Sequence, residues 1–243
     1  YINKKGRYGH WKDSSIMLKG AGVWNLTMLF LQTWYIYRPK DAKEDKGRFR
    51  PHHYQPKVVF DDGYVLPFGD SPLDDEVVAE YAYLNLINKV TQYVYITTPY
   101  LVIDDELLTA LCVAAKGGTD VRIITPHIPD KWYVHTLTRA SYAYLIDAGV
   151  KIYEYKPGFI HSKTFVVDDK LGIVGTINLD YRSLYLHFEC GVWMYKTKAL
   201  AEMKEDFLET LKVCRQISVQ ESQNVSWRRR WLNAILRLFA PLM

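Results

Sequence analysis

What most constrains the fold of this chain is the stretch FIHSKTFVVD at residues 159–168. Its β-branched and aromatic residues are typical of a buried strand, and the residues DDK and Gly172 that follow indicate a tight connection to a second strand. Because successive side chains on a strand point to opposite faces, His161 and Lys163 are predicted to share a face and Asp168 to lie on the other. We therefore expect a β-hairpin that carries a polar site, with Asp168 supporting that site.

Further polar residues follow the hairpin. Thr176 and Asn178 lie 15 and 17 residues after His161, and Glu189 lies 28 residues after it. With Lys163, the set supplies a titratable imidazole, a fixed cation, two neutral hydrogen-bonding groups and a carboxylate that can orient an imidazole. Such groups suit phosphoryl-type transfer without a metal. Glu189 is expected on a strand beside the hairpin, where it would hydrogen-bond the imidazole.

The spacing H-x-K-x4-D, with the later GTIN turn and the downstream glutamate, resembles the signature of the phospholipase D superfamily. The segments TPY at 98–100, GTDVRII at 118–124, NLDYRS at 178–183 and FE at 188–189 are similar to those of bacterial cardiolipin synthases. The resemblance covers nearly the whole chain. It implies transfer of a phosphatidyl group between two phosphatidylglycerol molecules, giving cardiolipin and glycerol through a phosphohistidine, with no cofactor and no metal.

The resemblance also implies roles for individual residues. The catalytic set would be His161, Lys163, Asp168, Asn178 and Glu189, and substrate would contact Lys163, Thr176 and Asn178. Such enzymes carry two signatures, whereas this chain has one, because HWK at 10–12 has Met17 where an aspartate is required. The resemblance implies that an upstream histidine attacks and that His161 serves as acid and base, but the sequence leaves this assignment open.

Strand and helix patterns alternate along the rest of the chain. Strands are predicted at 57–60, 90–100, 121–125, 150–155 and 188–195, and helices at 73–89, 104–116, 130–148 and 198–213. Alternation of this kind builds a sheet with helices packed on its faces. The predicted fold is α/β: a phospholipase D-like lobe with a mixed, largely parallel sheet flanked by helices on both faces.

Four regions are predicted along the chain. Residues 1–36 would end a truncated first lobe, because DSSIML at 13–18 matches ECGVWM at 189–194 as an acid with apolar residues three and five positions later, followed by helical sequence. This weak repeat gives Asp13 the role of Glu189, although two unrelated strand–helix units would look the same. Residues 37–56 have linker composition, and HH at 52–53 fits a solvated loop better than a metal site. Residues 57–225 form the second lobe with the motif.

Residues 226–243 are predicted to form a basic amphipathic tail. Apolar residues recur there at helical spacing beside several arginines. A helix docked on the core would show the same period, but the adjacent arginines and tryptophans favour a membrane surface. The predicted membrane contacts are Trp227, Arg228, Arg229, Arg230 and Trp231.

The amino-acid composition limits which class of protein this chain can belong to. An apolar fraction of 49% is typical of a globular core, and the three scattered cysteines fit a reducing compartment and offer no zinc spacing. The predicted partners are anionic phospholipid (phosphatidylglycerol), a membrane surface and a missing N-terminal lobe, with no nucleic acid. The predicted location is the cytoplasmic side of a bacterial cell membrane, with any transmembrane anchor upstream. A lipase or nuclease of the same superfamily, or an inactive lipid-binding half-site, would fit the motif as well.

Overall fold

The computed structural model of the chain describes residues 3, 6–43, 46–50, 63–224 and 226–242. The strands are β1 Tyr64–Asp70, β2 Tyr93–Thr97, β3 Leu101–Val102, β4 Asp120–Pro126, β5 Lys151–Tyr155, β6 Thr164–Val167, β7 Leu171–Gly175, β8 Leu179–Asp180, β9 Glu189–Tyr195 and β10 Cys214–Gln216. The α-helices are α1 Val23–Tyr37, α2 Val78–Asn88, α3 Asp105–Lys116, α4 Trp132–Asp147, α5 Ala199–Leu211, α6 Val219–Gln223 and α7 Trp227–Leu238. Single turns of 3-10 helix span Pro39–Lys43, Lys46–Phe49 and Ala240–Leu242, and Arg182–Leu186 forms a π-helical turn.

Eight strands form one sheet in the order β1-β9-β7-β6-β2-β4-β5-β10, while β3 and β8 pair separately. Within the eight-stranded sheet, β2–β4 and β4–β5 are parallel and the other five neighbouring pairs are antiparallel. The predicted phospholipase D-like α/β lobe is confirmed, but the expectation of a largely parallel sheet is wrong. A parallel pair needs a crossover between its strands, which α3 and α4 supply, whereas the β6–β7 hairpin and the strands added beside it return antiparallel.

Helices cover both faces of this sheet, as predicted. Alternate residues of β2 point to opposite sides: Val94 and Ile96 join the core with Leu107 of α3, whereas Tyr95 stacks on Phe207 of α5 with ring centroids 4.8 Å apart. A strand with both faces buried reads as a continuous apolar run, which is why the sequence pattern located it.

The predicted helices correspond to α2, α3, α4 and α5, and the predicted strands to β2, β4, β5 and β9. The sequence did not predict β1, β3, β8, β10 or α6. The strand expected at 57–60 and the HH pair at 52–53 lie outside the described residues.

An N-terminal segment, residues 9–14, runs along the loop that leads into β6. Lys12 forms an isolated β-bridge with Ile160, and the carbonyl oxygen of Lys12 accepts the His161 backbone N–H at 2.7 Å. The close approach requires Gly158, because a Cβ at that position would collide with the backbone of His10. The pairing brings the residues after Lys12 to the side of His161.

Candidate active site

The site lies at the edge of the sheet where the parallel strands β2, β4 and β5 have their carboxyl ends. The antiparallel strands meet the same edge: Thr164 at the start of β6 pairs with Thr97 at the end of β2, and Gly175 at the end of β7 pairs with Gly191 near the start of β9. The crevice outside the carboxyl ends of parallel strands is where α/β proteins bind ligands.

The imidazole of His161 is held by Asp13 of the N-terminal segment. His161 Nδ1 lies 2.7 Å from Asp13 Oδ1, and the indole N–H of Trp11 donates to Asp13 Oδ2 at 2.9 Å. An ionised carboxylate only accepts hydrogen bonds, so Nδ1 is the donor and the lone pair of the neutral ring is at Nε2. Burial and the nearby Lys163 lower the pKa of His161 against the opposing effect of Asp13.

Glu189 does not occupy the position that the sequence predicted for it. Its carboxylate accepts the hydroxyl hydrogen of Thr176, and burial raises the pKa of Glu189. The expectation that Glu189 bonds the imidazole of His161 is therefore wrong, and Asp13 takes that position. Asp13 is the residue that the sequence repeat matched to Glu189, so two carboxylates with matching places in the repeat belong to one site.

Lys163 connects these groups electrostatically. Its side chain is only 7% exposed, and its ammonium group donates to the carbonyl oxygen of His161. Burial lowers the pKa of Lys163 to about 8, while the carboxylates of Asp13, Glu189 and Asp180 act to raise it. Lys163 is therefore mostly protonated at neutral pH. Protonation is required of a fixed cation that offsets the charge of a phosphodiester.

Asn178 lies on the floor of a cleft of about 130 Å³ that opens beside this cluster. Its side-chain N–H₂ donates to Ser183 Oγ at 2.8 Å, whereas its Oδ1 is buried without a hydrogen-bond partner in the described part of the chain. Asp180 shares the floor, is 5% exposed and accepts the Ser183 backbone N–H at 2.7 Å. Burial raises the pKa of Asp180. The sequence analysis did not select Asp180, although the NLDYRS segment contains it.

Asp168 lies at the opposite end of β6 from the imidazole. It occupies the β6–β7 turn with a φ of 52°, in the left-handed region that aspartate tolerates. Its carboxylate accepts the backbone N–H groups of Thr91, Gln92 and Tyr93 and the Thr91 hydroxyl at 2.7–2.9 Å. Asp168 thus points away from His161, as predicted. The reason differs from the predicted one, because Asp168 lies in the turn after β6 and not on the opposite face of a continuous strand.

Three other carboxylates approach one another within 4.8 Å, those of Glu80, Asp104 and Glu106. Asp104 caps α3 by accepting the Leu107 N–H, and it also accepts the Tyr185 hydroxyl. The sequence analysis did not identify this group, because Glu80 is far from the other two along the chain. These contacts give Asp104 a structural role in the described fold.

The chain is similar to known proteins in both sequence and fold. A family model described as "Cardiolipin synthase, PLD-like domain" matches residues 83–211. An uncharacterized protein of Streptococcus mutans is 46% identical over the whole chain and a cardiolipin synthase of a Geobacillus strain is 36% identical, with the chain covering 52% and 48% of their lengths. The crystal structure of Nuc, a phospholipase D family member from Salmonella typhimurium, shares the fold with a TM-score of 0.56 and 18% identity, over 64% of this chain and 98% of Nuc. The chain thus spans about half the length of the curated relatives it matches.

Proposed function

The chain belongs to the cardiolipin synthase-like family of the phospholipase D superfamily, and we propose that it forms one catalytic lobe of a phosphatidyltransferase that makes cardiolipin. The proposed reaction moves the phosphatidyl group of one phosphatidylglycerol to the free hydroxyl of a second and releases glycerol. The observation that carries the proposal is the imidazole of His161, oriented at Nδ1 by Asp13 and placed beside the buried cation Lys163.

Two histidines divide this reaction. The first attacks phosphorus, forming a phosphohistidine, and the departing glycerol alkoxide takes a proton from the second. The second histidine then takes the proton of the acceptor hydroxyl, whose oxygen attacks phosphorus, breaks the P–N bond and frees the first. We assign His161 to the acid–base role: in its protonated form it gives the Nε2 proton to the departing glycerol, and the proton of the acceptor hydroxyl restores that form, while the hydrogen bond from Nδ1 to Asp13 stabilises the charged ring. The attacking histidine would come from a first lobe, where Glu189 would orient it as Asp13 orients His161.

The phosphate oxygens would lie against Lys163. The two neutral groups expected to donate to the phosphate, Thr176 and Asn178, instead donate to Glu189 and Ser183 in this structure. We therefore assign most of the charge compensation to Lys163, which stays cationic at neutral pH because neighbouring carboxylates oppose the effect of burial.

The 243-residue chain alone is expected to form no cardiolipin from phosphatidylglycerol vesicles, because it carries one H-x-K-x4-D signature. Adding a separately expressed lobe with a first signature should restore turnover, measured as cardiolipin by mass spectrometry. A first lobe in which the signature histidine is replaced by alanine serves as the control. Robust synthesis by the isolated chain, rising with the square of its concentration, would contradict the two-lobe arrangement and indicate a site shared between two copies.

We also propose that α7 binds the membrane surface. Leu236 of α7 and Ala240 of the 3-10 turn that follows belong to a hydrophobic cluster with Val134 of α4, whereas Trp227 and Trp231 are each 67% exposed. One side of α7 is thus docked on the lobe while its tryptophans face solvent, a disposition that suits an interfacial helix. Among the described helices, none combines the length and hydropathy needed to cross a bilayer. The side chains of Arg228, Arg229 and Arg230 lie outside the described part, and their membrane contact stays a prediction.

Replacing Trp227 and Trp231 together by alanine is expected to weaken binding to phosphatidylglycerol vesicles by about tenfold or more, since each indole would otherwise bury apolar surface in the interface. Vesicle flotation with the 243-residue chain measures this without requiring activity. Trp34→Ala is the matched control, because Trp34 is 43% exposed on α1. An equal loss for Trp34→Ala, or no loss for the double variant, would exclude α7 as the membrane contact.

A further inference from the structure

We propose that the cleft beside the catalytic cluster, which we name the α4 cleft, binds the headgroup of the acceptor lipid, a glycerol esterified with an anionic phosphate. The inference rests on the proposed function and specifies the second substrate of the same site. The α4 cleft is lined by Lys131 and Tyr133 at the start of α4 and by Arg182 of the π-helical turn. Asn178 and Asp180 form its floor.

The rim of the α4 cleft is cationic. Lys131 and Arg182 are exposed, and both line the cleft. The Lys131 ammonium lies 5.6 Å from the ring centroid of Tyr100, and Arg182 Nε donates to His187 Nε2 at 2.8 Å. Two exposed cations that line one cleft, each in contact with a neighbouring ring, form a site for a monoanionic phosphodiester at the mouth of the cleft.

The floor of the α4 cleft has the opposite character, since it offers acceptors. Asn178 Oδ1 is buried without a partner among the described residues, and the carboxylate of Asp180 is beside it. A buried acceptor left unpaired is costly, and a deprotonated phosphodiester cannot donate to it. A hydroxyl group can. The ligand that fits therefore has hydroxyls at its inner end and a phosphate at its outer end.

Phosphatidylglycerol has this order of groups, because its glycerol hydroxyls lie beyond its phosphate. The inner end of the α4 cleft adjoins the catalytic cluster: Asp180 acts electrostatically on Lys163, and Glu189 acts on it as well. An acceptor bound this way would direct its hydroxyl toward His161 and the phosphohistidine and leave its own phosphate at Lys131 and Arg182. The donor phosphate, which must lie against Lys163, is thereby kept apart from the acceptor phosphate.

Titration of the 243-residue chain with dihexanoyl phosphatidylglycerol, followed by calorimetry, tests the site. Arg182→Gln and Lys131→Gln are each expected to weaken binding about tenfold, since each removes a charge-assisted contact. Lys170→Gln is the matched control, because Lys170 is an exposed cation in the β6–β7 turn at the far end of the sheet and should leave binding unchanged. Thermal unfolding of each variant checks that the fold is retained.

A ligand series separates the hydroxyl-binding floor from the cationic rim. Dihexanoyl phosphatidylethanol has the same charge but lacks glycerol hydroxyls, and should bind about tenfold more weakly because Asn178 Oδ1 stays unpaired. Equal binding of phosphatidylglycerol, phosphatidylethanol and inorganic phosphate would reduce the cleft to a simple anion site and overturn the proposal. Tighter binding of an oligonucleotide, or equal affinities for Arg182→Gln and Lys170→Gln, would overturn it too.

Activity of the assembled two-lobe enzyme distinguishes this inference from the proposed function. Arg182→Gln should raise the KM for phosphatidylglycerol and divert product from cardiolipin to phosphatidic acid, because water then competes better for the phosphohistidine. If the wild-type enzyme makes cardiolipin and Arg182→Gln has the same product ratio, the proposed acceptor site is wrong, but the proposed function is retained. If the wild-type enzyme makes no cardiolipin, the proposed function fails, whatever the binding measurements show.

Discussion

Replacing His161 by alanine in the assembled two-lobe enzyme is expected to lower cardiolipin formation by about 10²–10⁴-fold. The substitution removes the group that would protonate the departing glycerol and then deprotonate the acceptor hydroxyl, and no other histidine is proposed to replace it. Initial rates with isotopically labelled phosphatidylglycerol measure the loss. Wild-type turnover by the alanine variant would show that the site is assigned to the wrong residues.

A retained fold is essential to this test. The His161 side chain is 30% exposed and bonds a carboxylate that is itself 48% exposed, so its truncation should cost little stability. Asp13→Asn provides a graded control, since Asp13 positions the imidazole and would not touch substrate. Because Asp13 acts to raise the pKa of His161, its neutralisation should shift the imidazole-dependent limb of the pH–rate profile to lower pH. A residue with a merely structural role would leave that limb in place.

Local sequence patterns were sufficient to predict the β6–β7 hairpin and the longer helices. The apolar run of β6 and the two aspartates of the turn specify a β-hairpin, since Asp168 and Asp169 both adopt positive φ and the carbonyl oxygen of Val167 accepts the Lys170 N–H. Helix α3 likewise begins where Asp104 accepts the Leu107 N–H as an N-cap. In these elements the residues that fix the conformation are close together in the chain, so their spacing is informative.

The order of strands could not be obtained in the same way. Strand β1 pairs with β9 from Tyr64↔Tyr195 to Asp70↔Glu189, and no local pattern specifies a partner so distant in the chain. Strand β1 also includes Pro67 and has exposed residues at its start, as edge strands commonly do, and therefore lacks the alternation by which a strand is recognised. The antiparallel character of most of the sheet follows from such pairings.

In the candidate site, too, residues close together in the chain could be predicted from the sequence, whereas a contact between distant residues could not. His161, Lys163 and Asn178 could be selected from spacing because they lie in the loop just before the β6–β7 hairpin and in the segment just after it. The partner of the imidazole could not, since Asp13 is 148 residues away and reaches His161 only through the pairing of residues 9–14 with the loop before β6. The repeat that matched Asp13 to Glu189 contained the information, but the two segments differ in structure, because residues 13–19 form no strand whereas Glu189 begins β9.

The largest effect on stability is expected for Asp168→Asn, which should lower the free energy of unfolding by about 3 kcal/mol or more. The carboxylate accepts four hydrogen bonds, and it is 9% exposed. An asparagine amide keeps one acceptor oxygen and turns an N–H₂ group toward backbone donors. The φ of 52° is as acceptable to asparagine as to aspartate, so the loss would reflect the hydrogen bonds and not the backbone.

Asp169→Asn is the matched control in the same turn. Asp169 has a φ of 55°, its side chain is 56% exposed, and it accepts from Lys204 at 2.8 Å and from the Tyr93 hydroxyl at 2.8 Å. An exposed ion pair contributes little, so this variant should lose less than about 1 kcal/mol. Urea unfolding of both variants at one pH measures the difference. Equal losses of unfolding free energy would mean that the turn conformation, and not the Asp168 carboxylate, stabilises the contact between β6 and the loop before β2.

The pH dependence of the difference between wild type and Asp168→Asn identifies its cause. Hydrogen bonds from the backbone N–H groups of Tyr93, Thr91 and Gln92 lower the pKa of Asp168 despite its burial. A depressed carboxyl pKa adds stability above the ordinary value of 3.8 and loses it as the pH falls through the lower value of the folded state. The deficit of Asp168→Asn should therefore be full near neutral pH and shrink as the pH falls from 3.8 through the lower pKa of the folded state, where the wild-type carboxyl also becomes neutral. A variant with wild-type stability at neutral pH but selectively lost turnover would instead assign Asp168 to the chemistry, which its position at the far end of β6 argues against.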